Sequence, residues 1–248
     1  MKNEVGMEPL AGRLVLVTGA ARRVGKALAQ GIARAGGDIV LQYHGSTAEA
    51  EEAQAEIHSY GRRAHLLQAD LGNPAEAAGL IEGARSFGPL FALVNSAAIF
   101  EPLSWDNTGL EAWNRHLQIN LTAPFLLSQA FARSLPPEEE GRIVNILDWR
   151  ALRPGPDHLP YTTSKAALAA LTRSLAAALA PRILVNGLAL GAVLPPSDGG
   201  DASRVIAQVP AGRWARLEEV VQALLFLLAG PAYVTGEIIH VDGGRHLV

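Results

Sequence analysis

The sequence contains no cysteine. That excludes a disulfide framework, a thiolate zinc site and a cysteine nucleophile, and it fits a reducing compartment. Lysine is scarce as well: Lys2, Lys26 and Lys165 stand alone, so most of the 21 basic side chains are arginines. Charge of one sign is missing too. The 21 bases against 24 acids leave a formal net charge of −3 with no like-charge block, which offers nothing to nucleic acid or an anionic lipid surface. The longest apolar stretch, around 220–229, is too short to cross a bilayer. The opening MKNEVGMEPLAG has acids and a proline where a secretory signal needs a basic end and an apolar run, and it reads as a mature cytoplasmic N-terminus. The histidines (His44, His58, His65, His116, His158, His240 and His246) have no ligand-like spacing, so no metal is expected.

What is present is apolar mass. Of 248 residues 49% are hydrophobic, enough to bury a core in one large domain or two small ones. Short β-rich runs alternate with longer helical patterns, which predicts parallel strands joined by crossover helices. Candidate strands are 14–18, 38–43, 63–68, 90–95, 142–147, 183–187 and 237–241, most of them continuous apolar runs of the kind covered on both faces. Between them, sets such as Val24, Leu28, Ile32 and Ala35, or Leu168, Leu171, Leu175 and Leu179, recur at helical spacing. Seven strands and about six helices predict an α/β Rossmann fold: a doubly wound seven-stranded parallel sheet, helices on both faces, one domain over 1–248, ligands at the strand carboxyl ends. The region 191–212, rich in Pro, Gly and Asp, reads either as a flap covering a substrate pocket or as a plain surface loop.

After the first strand, Thr18-Gly19-Ala20-Ala21-Arg22-Arg23-Val24-Gly25 runs straight into a helix. A pyrophosphate can sit on such a helix N-terminus, with Gly19 allowing the tight turn and Gly25 the close approach of helix, sheet and ligand. The acid that grips the adenosine ribose of NAD belongs at the end of the second strand, but Leu41-Gln42-Tyr43-His44-Gly45-Ser46-Thr47 has none. Arg22, Arg23, His44, Ser46 and Thr47 suit a 2′-phosphate instead, so NADPH is the expected cofactor; the alternative is that both arginines are solvated surface charges. Tyr161 and Lys165, four apart on a helix, share one face. The ammonium is expected to lower the Tyr161 pKa from about 10 toward working pH, making a usable general acid or base.

Thr18-Gly19 with Gly25, Asp70-Leu71 after the third strand, Asn95 with Ala97 after the fourth, Asn120, Tyr161 with Lys165, and Asp242-Gly243-Gly244 together resemble the short-chain dehydrogenase/reductases over nearly the whole chain. The resemblance implies that Asp70 and Leu71 approach the adenine and that Asn95 shapes the central cofactor site. It also implies that Lys165 binds the nicotinamide ribose, that Asn120 holds a water-linked proton path to Lys165, and that Tyr161 donates the proton. Against these stand structural readings: a helix-kinking amide for Asn120 and a turn-forming carboxylate for Asp70.

Three departures narrow the expectation. Arg23 replaces the family's middle glycine, Leu190-Gly191 its Pro-Gly, and Asp148 the serine thirteen residues before the catalytic tyrosine. A carboxylate there repels a forming alkoxide but suits a substrate with an NH-rich, amidine-like edge. With Tyr43-His44, Ser46, Asp148 and Phe100, the chain is similar to the pteridine reductases, and its ending to bacterial dihydromonapterin reductases. That resemblance implies NADPH-dependent reduction of 7,8-dihydropterins, with dihydrofolate left open as a further substrate, Phe100 stacking the pterin and Asp148 orienting it or, desolvated, carrying the proton itself. It also implies a homotetramer with packed C-terminal segments, Arg245 or His246 bordering a neighbour's pocket. The bland alternatives are a cap for Asp148 and a core aromatic for Phe100. Rival readings of the whole chain are a broad carbonyl or 3-oxoacyl-thioester reductase and a non-catalytic NADP-binding regulator.

Overall fold

Strands without a polar face must be covered on both sides, and here the covering is helical. The computed structural model describes residues 8–195 and 202–248. In chain order the elements are β1 (Leu14–Val17), α1 (Arg23–Arg34), β2 (Asp38–Tyr43), α2 (Thr47–Ser59), β3 (Ala64–Gln68), α3 (Pro74–Arg85) and β4 (Leu90–Asn95). Then come α4 (Leu110–Leu117), a π-helical segment (Gln118–Thr122), α5 (Ala123–Ser134), β5 (Gly141–Asp148), a 3₁₀ turn (Trp149–Ala151) and α6 (Leu159–Leu179). The chain ends with β6 (Ile183–Leu190), α7 (Ala202–Ile206), α8 (Leu217–Ala229), β7 (Ile238–Val241) and a second 3₁₀ turn (Arg245–Leu247).

All seven strands are parallel, in the order β3-β2-β1-β4-β5-β6-β7. The chain therefore runs outward from β1 in one direction and from β4 in the other, leaving a crevice at their carboxyl ends, the position where doubly wound sheets bind ligands. The core is divided by the sheet. On one face Leu28, Ile32, Val220 and Leu224 of α1 and α8 pack on Val15, Val17 and Ile39. On the other, Leu80, Ile81, Leu127 and Phe131 of α3 and α5 pack on Leu16, Leu93 and Ile143.

The doubly wound parallel sheet is as the sequence predicts, with two differences. β6 continues to Leu190 rather than stopping at Gly187, because the missing side chain admits Leu147, whose Cδ1 lies 2.6 Å from where a Cβ would stand. Eight α-helical segments occur among the described residues where about six were expected: α4 and α5 are one rod interrupted by the π segment, and α7 is a short extra turn.

Candidate functional site

The crevice is built on a turn with no room in it. Gly19 takes φ +64°, and a Cβ there would stand 2.8 Å from the Ala97 Cα at the end of β4. A Cβ on Gly25 would stand 2.2 Å from the Gly19 carbonyl oxygen, so the first turn of α1 lies directly on the loop that precedes it. Thr18 Oγ1 ties the two strand ends, accepting from the amides of Ser96 (2.9 Å) and Ala97 (3.0 Å). The Gly19 amide donates to Gln42 Oε1 at 2.9 Å, joining β2 to the same corner. α1 starts at Arg23 and Val24 with no side-chain cap and no acid in its first turn, leaving that turn's amides to the crevice. An uncapped helix start of this kind can hold a pyrophosphate.

Arg23 occupies the position of the missing glycine with φ +52°, a conformation that costs a non-glycine residue about 1 kcal/mol. Strain of this kind concentrates at functional sites. The guanidiniums of the two turn arginines have separate neighbours in the protein. Arg23 Nη2 donates to the Pro195 carbonyl at 3.3 Å, while exposed Arg22 lies 3.7 Å from Glu49. His44 and Ser46 follow β2, Ser46 as the N-cap residue of α2, and His44 Nδ1 lies 3.9 Å from Asp70 Oδ1. Asp70 also forms a turn, its Oδ1 accepting from the Gly72 amide at 2.8 Å, and Leu71 beside it is buried.

Asp148, Tyr161 and Lys165 come together at the carboxyl end of β5. The Tyr161 hydroxyl donates to Asp148 Oδ2 at 3.2 Å. The other oxygen, Oδ1, accepts from the Arg150 amide at 2.9 Å and caps the 3₁₀ turn, as the structural reading of Asp148 expects, while Oδ2 is left facing Tyr161. Lys165, 2% exposed, donates from Nζ to the Ile146 carbonyl at 2.6 Å. Burial pushes its pKa down to about 8, partly offset by the Asp148 charge. Burial likewise raises the Asp148 carboxyl, opposed by the Arg150 amide, the Arg150 charge, Tyr161 and Lys165.

One expectation is overturned. The Tyr161 pKa is raised well above 10, not lowered: burial acts first, and the Asp148 charge and hydrogen bond act in the same direction. Tyr161 is a neutral phenol with its proton directed at Asp148.

Asn95 Nδ2 donates to Asn145 Oδ1 at 2.8 Å, leaving its own Oδ1 buried without a partner in the protein. Asn120 lies in the π segment, fully buried, and exchanges hydrogen bonds with Ile99, accepting from its amide (2.9 Å) and donating to its carbonyl (3.0 Å). It also donates to Ser164 Oγ at 3.1 Å, one residue from Lys165. Asn120 thus sits in the irregular segment between α4 and α5 and is tied to α6 through Ser164.

Phe100 is no core aromatic, being 52% exposed. Its ring stacks on His158 (centroids 4.0 Å apart, 11° between planes) and meets Tyr161 edge-on at 4.6 Å. Sequence reasoning missed His158, counting it among scattered histidines, and missed Arg150. His158 stands at φ +53° as the N-cap of α6, and its Nδ1 lies 3.0 Å from Asp157 Oδ2. Its signal was its place just before the helix that carries Tyr161.

Of the expected flap 191–212, residues 196–201 lie outside the described residues. Residues 202–206 form α7, and the Ala211 amide bonds back to the Gly243 carbonyl at 3.0 Å. Arg245 is 7% exposed and committed within its own chain, to the Val205 carbonyl (2.8 Å) and Gln208 Oε1 (2.7 Å). Among the described residues no three His, Asp or Glu side chains converge on a metal-sized space, and no helix is long and apolar enough to cross a membrane.

Residues 19–246 match a family model described as enoyl-(acyl carrier protein) reductase. A 3-oxoacyl-[acyl-carrier-protein] reductase from Synechocystis is 32% identical over 96% of this chain and 98% of its own. The solved structure of FolM alternative dihydrofolate reductase 1 from Brucella canis, complexed with NADP, superposes with a TM-score of 0.89 at 35% identity, covering 98% of this chain and 97% of that one. A blue fluorescent protein from a metagenomic library, in complex with NADPH, gives a TM-score of 0.89 at 34% identity over 96% of this chain and 99% of that one. Sequence, sheet order and crevice thus agree, and the chain belongs to the short-chain dehydrogenase/reductase family of oxidoreductases.

Proposed function

We propose that this protein reduces 7,8-dihydropterins to tetrahydropterins with NADPH. The observation that carries the reading is the Asp148 carboxylate, which takes the Tyr161 hydroxyl at 3.2 Å where the wider family has a neutral serine. An alkoxide forming beside an ionised carboxylate is repelled, which disfavours a simple ketone. The N–H edge of a pterin is instead held by charge-assisted hydrogen bonds, and the exposed face of Phe100 beside it gives a flat ring something to stack on.

The residues fit the cofactor. The uncapped first turn of α1, with Gly19, Val24 and Gly25, takes the pyrophosphate; Arg22, His44 and Ser46 face the 2′-phosphate; Asp70, Leu71, Asn95 and Ala97 line the path between. The buried, unpartnered Asn95 Oδ1 marks a polar place in the centre of that path. Arg23, whose guanidinium donates to the Pro195 carbonyl, stands in the same turn and belongs with the phosphate-binding cations. Bound NADPH supplies a hydride.

The chain's own side chains then manage the proton. Tyr161 holds a proton on its hydroxyl, and Lys165 holds the ribose and keeps a positive charge beside the reacting centre. Asp148, its carboxyl raised by burial, accepts N–H bonds when ionised and delivers a proton to the adjacent ring nitrogen when not. Asn120 continues the path at Ser164. The homotetramer and the cytoplasmic setting implied by the resemblance belong to the same proposal.

A second reading comes from the relatives: the Synechocystis protein is a 3-oxoacyl-[acyl-carrier-protein] reductase. One assay separates the two, following NADPH oxidation with a 7,8-dihydropterin against an acetoacetyl thioester at matched concentrations. Turnover of the dihydropterin is the expected result; turnover of the thioester alone leaves only the broader reductase assignment, and cofactor binding with neither turned over makes the protein a regulator.

Lys165 sets the pH dependence. With its pKa at about 8, the ammonium is lost as pH rises, so kcat/KM is expected to fall through that region. Unfolding will not mimic this. The folded pKa lies below the unfolded value of about 10.4, so the unfolded state binds more protons between the two, and this group's contribution to stability increases with pH there. A kcat/KM profile flat from pH 7 to 9.5 would count against the ammonium role.

A further inference from the structure

Four side chains in and beside the candidate site, Asp148, Asp157, Phe100 and Trp149, converge on one that neither the motif reading nor the proposed mechanism uses. Arg150 sits on the 3₁₀ turn after β5 with its side chain 17% exposed. Its Nη2 donates to Asp157 Oδ2 at 3.0 Å, the same oxygen that His158 Nδ1 reaches, and Nη1 lies 3.8 Å from Asp148 Oδ1. The Cζ stands 5.8 Å from the Phe100 ring centroid and 4.8 Å from that of Trp149. Trp149 is held in turn by the Arg245 guanidinium, 4.5 Å from its centroid, and Arg245 is anchored to Val205 and Gln208.

We propose that Arg150 is a positioning residue of the substrate pocket, a single guanidinium that fixes the Asp148 carboxylate on one side and the Asp157–His158 pair that backs Phe100 on the other. This rests on the reading that Asp148 and Phe100 hold the substrate.

The planar fork is what the task demands, because two carboxylates in different directions must be met at once; an ammonium is a point charge and meets one of them well. Stability alone does not explain the residue. The buried Arg150 Nε has no hydrogen-bond partner, a cost that an apolar side chain of similar volume would avoid. Arg150 also acts on the proton chemistry at a distance. The charged and titratable groups facing Asp148 are Arg150 from the turn and Tyr161 and Lys165 from α6, and the field of Arg245 reaches both Asp148 and Asp157. Of these, Tyr161 and Arg150 both reach the Phe100 ring, and of the two Arg150 also holds Asp157, which the His158 behind that ring shares. The ring that aligns the substrate and the carboxyl that orients it are therefore registered by one rigid group, which matters because small misplacements in a site carry large rate costs.

The test uses the full-length protein with Arg150→Gln and Arg150→Lys, and reads two quantities. The first is the Asp148 titration midpoint, from NMR of ¹³C-carboxyl-labelled aspartate assigned with Asp148→Asn, which needs no substrate. The second is the dihydropterin KM and kcat, with the NADPH Kd as reference. Arg150→Gln is expected to move the midpoint upward and raise the dihydropterin KM roughly tenfold, with the NADPH Kd within about twofold of wild type. Arg150→Lys is expected to leave the midpoint close to wild type yet still raise KM, since it keeps the charge and loses the fork. An unmoved midpoint in Arg150→Gln, or a KM unmoved in both variants, overturns the proposal. If the wild type ignores dihydropterins, the pterin reading falls in that assay, whereas the midpoint shift still judges Arg150.

Discussion

Asp148→Ser is expected to abolish turnover of a 7,8-dihydropterin, lowering kcat/KM by about 10³ while leaving NADPH binding intact. Each charge-assisted hydrogen bond to the N–H edge contributes about 1.5–3 kcal/mol, and losing two of them removes about 3–6 kcal/mol of transition-state stabilisation. Serine is the informative replacement because it restores the neutral hydroxyl that the wider family keeps thirteen residues before its tyrosine. The variant should therefore gain activity toward an acetoacetyl thioester as it loses the pterin, since a hydroxyl stabilises the alkoxide that the carboxylate repels. Unfolding is not expected to contribute. The carboxyl is held above its ordinary pKa by burial, so its charge opposes folding at neutral pH, and a serine oxygen can still accept from the Arg150 amide that Asp148 caps at 2.9 Å. A melting temperature close to wild type, pterin activity lost and thioester activity gained is the predicted set. Retained pterin turnover would refute the role assigned to Asp148.

The exchange of serine for aspartate was legible in the sequence because a spacing of thirteen connects the end of a strand to the first turn of the next helix, and the fold preserves that register. β2 and β4 were legible for a similar reason: apolar runs closed by turn residues leave few choices of boundary. The Tyr161 ionisation was not. A spacing of four places Lys165 on the same helix face, but the dominant effects are burial and a carboxylate arriving from β5, neither of which a local pattern encodes. Arg150 and His158 were hidden for a related reason. Their contacts depend on the 3₁₀ turn after β5 and on a left-handed residue at φ +53°, backbone features that no residue type announces when the residue is not glycine. Arg23 shows the same limit: the sequence reveals that a cation replaces a glycine, and only the folded chain shows it turned to Pro195.

Gly25→Ala tests the other half of the site, the cofactor cradle. A methyl group at this position would stand 2.2 Å from the Gly19 oxygen, 2.9 Å from its carbonyl carbon and 3.2 Å from the Ala20 Cα. All three neighbours are backbone atoms, so no side chain can rotate away, and either α1 must lift off the turn or the turn must open. Both responses pull the first-turn amides out of line with the pyrophosphate, whose hold depends on several of them at once. The expected result is a rise in NADPH Kd of about 10² or more, read by fluorescence titration. The helix gains an alanine, worth about 1 kcal/mol in an unconstrained position, so a fall in stability despite that gain would measure the clash itself. Gly79→Ala supplies the unconstrained case. It lies within α3 with nothing inside 4 Å of a new Cβ, and it should leave cofactor affinity unchanged while raising stability slightly. Wild-type NADPH affinity in Gly25→Ala would mean that the pyrophosphate does not rest on the start of α1, and the assignment of Gly19, Val24 and Gly25 to the cofactor would fail with it.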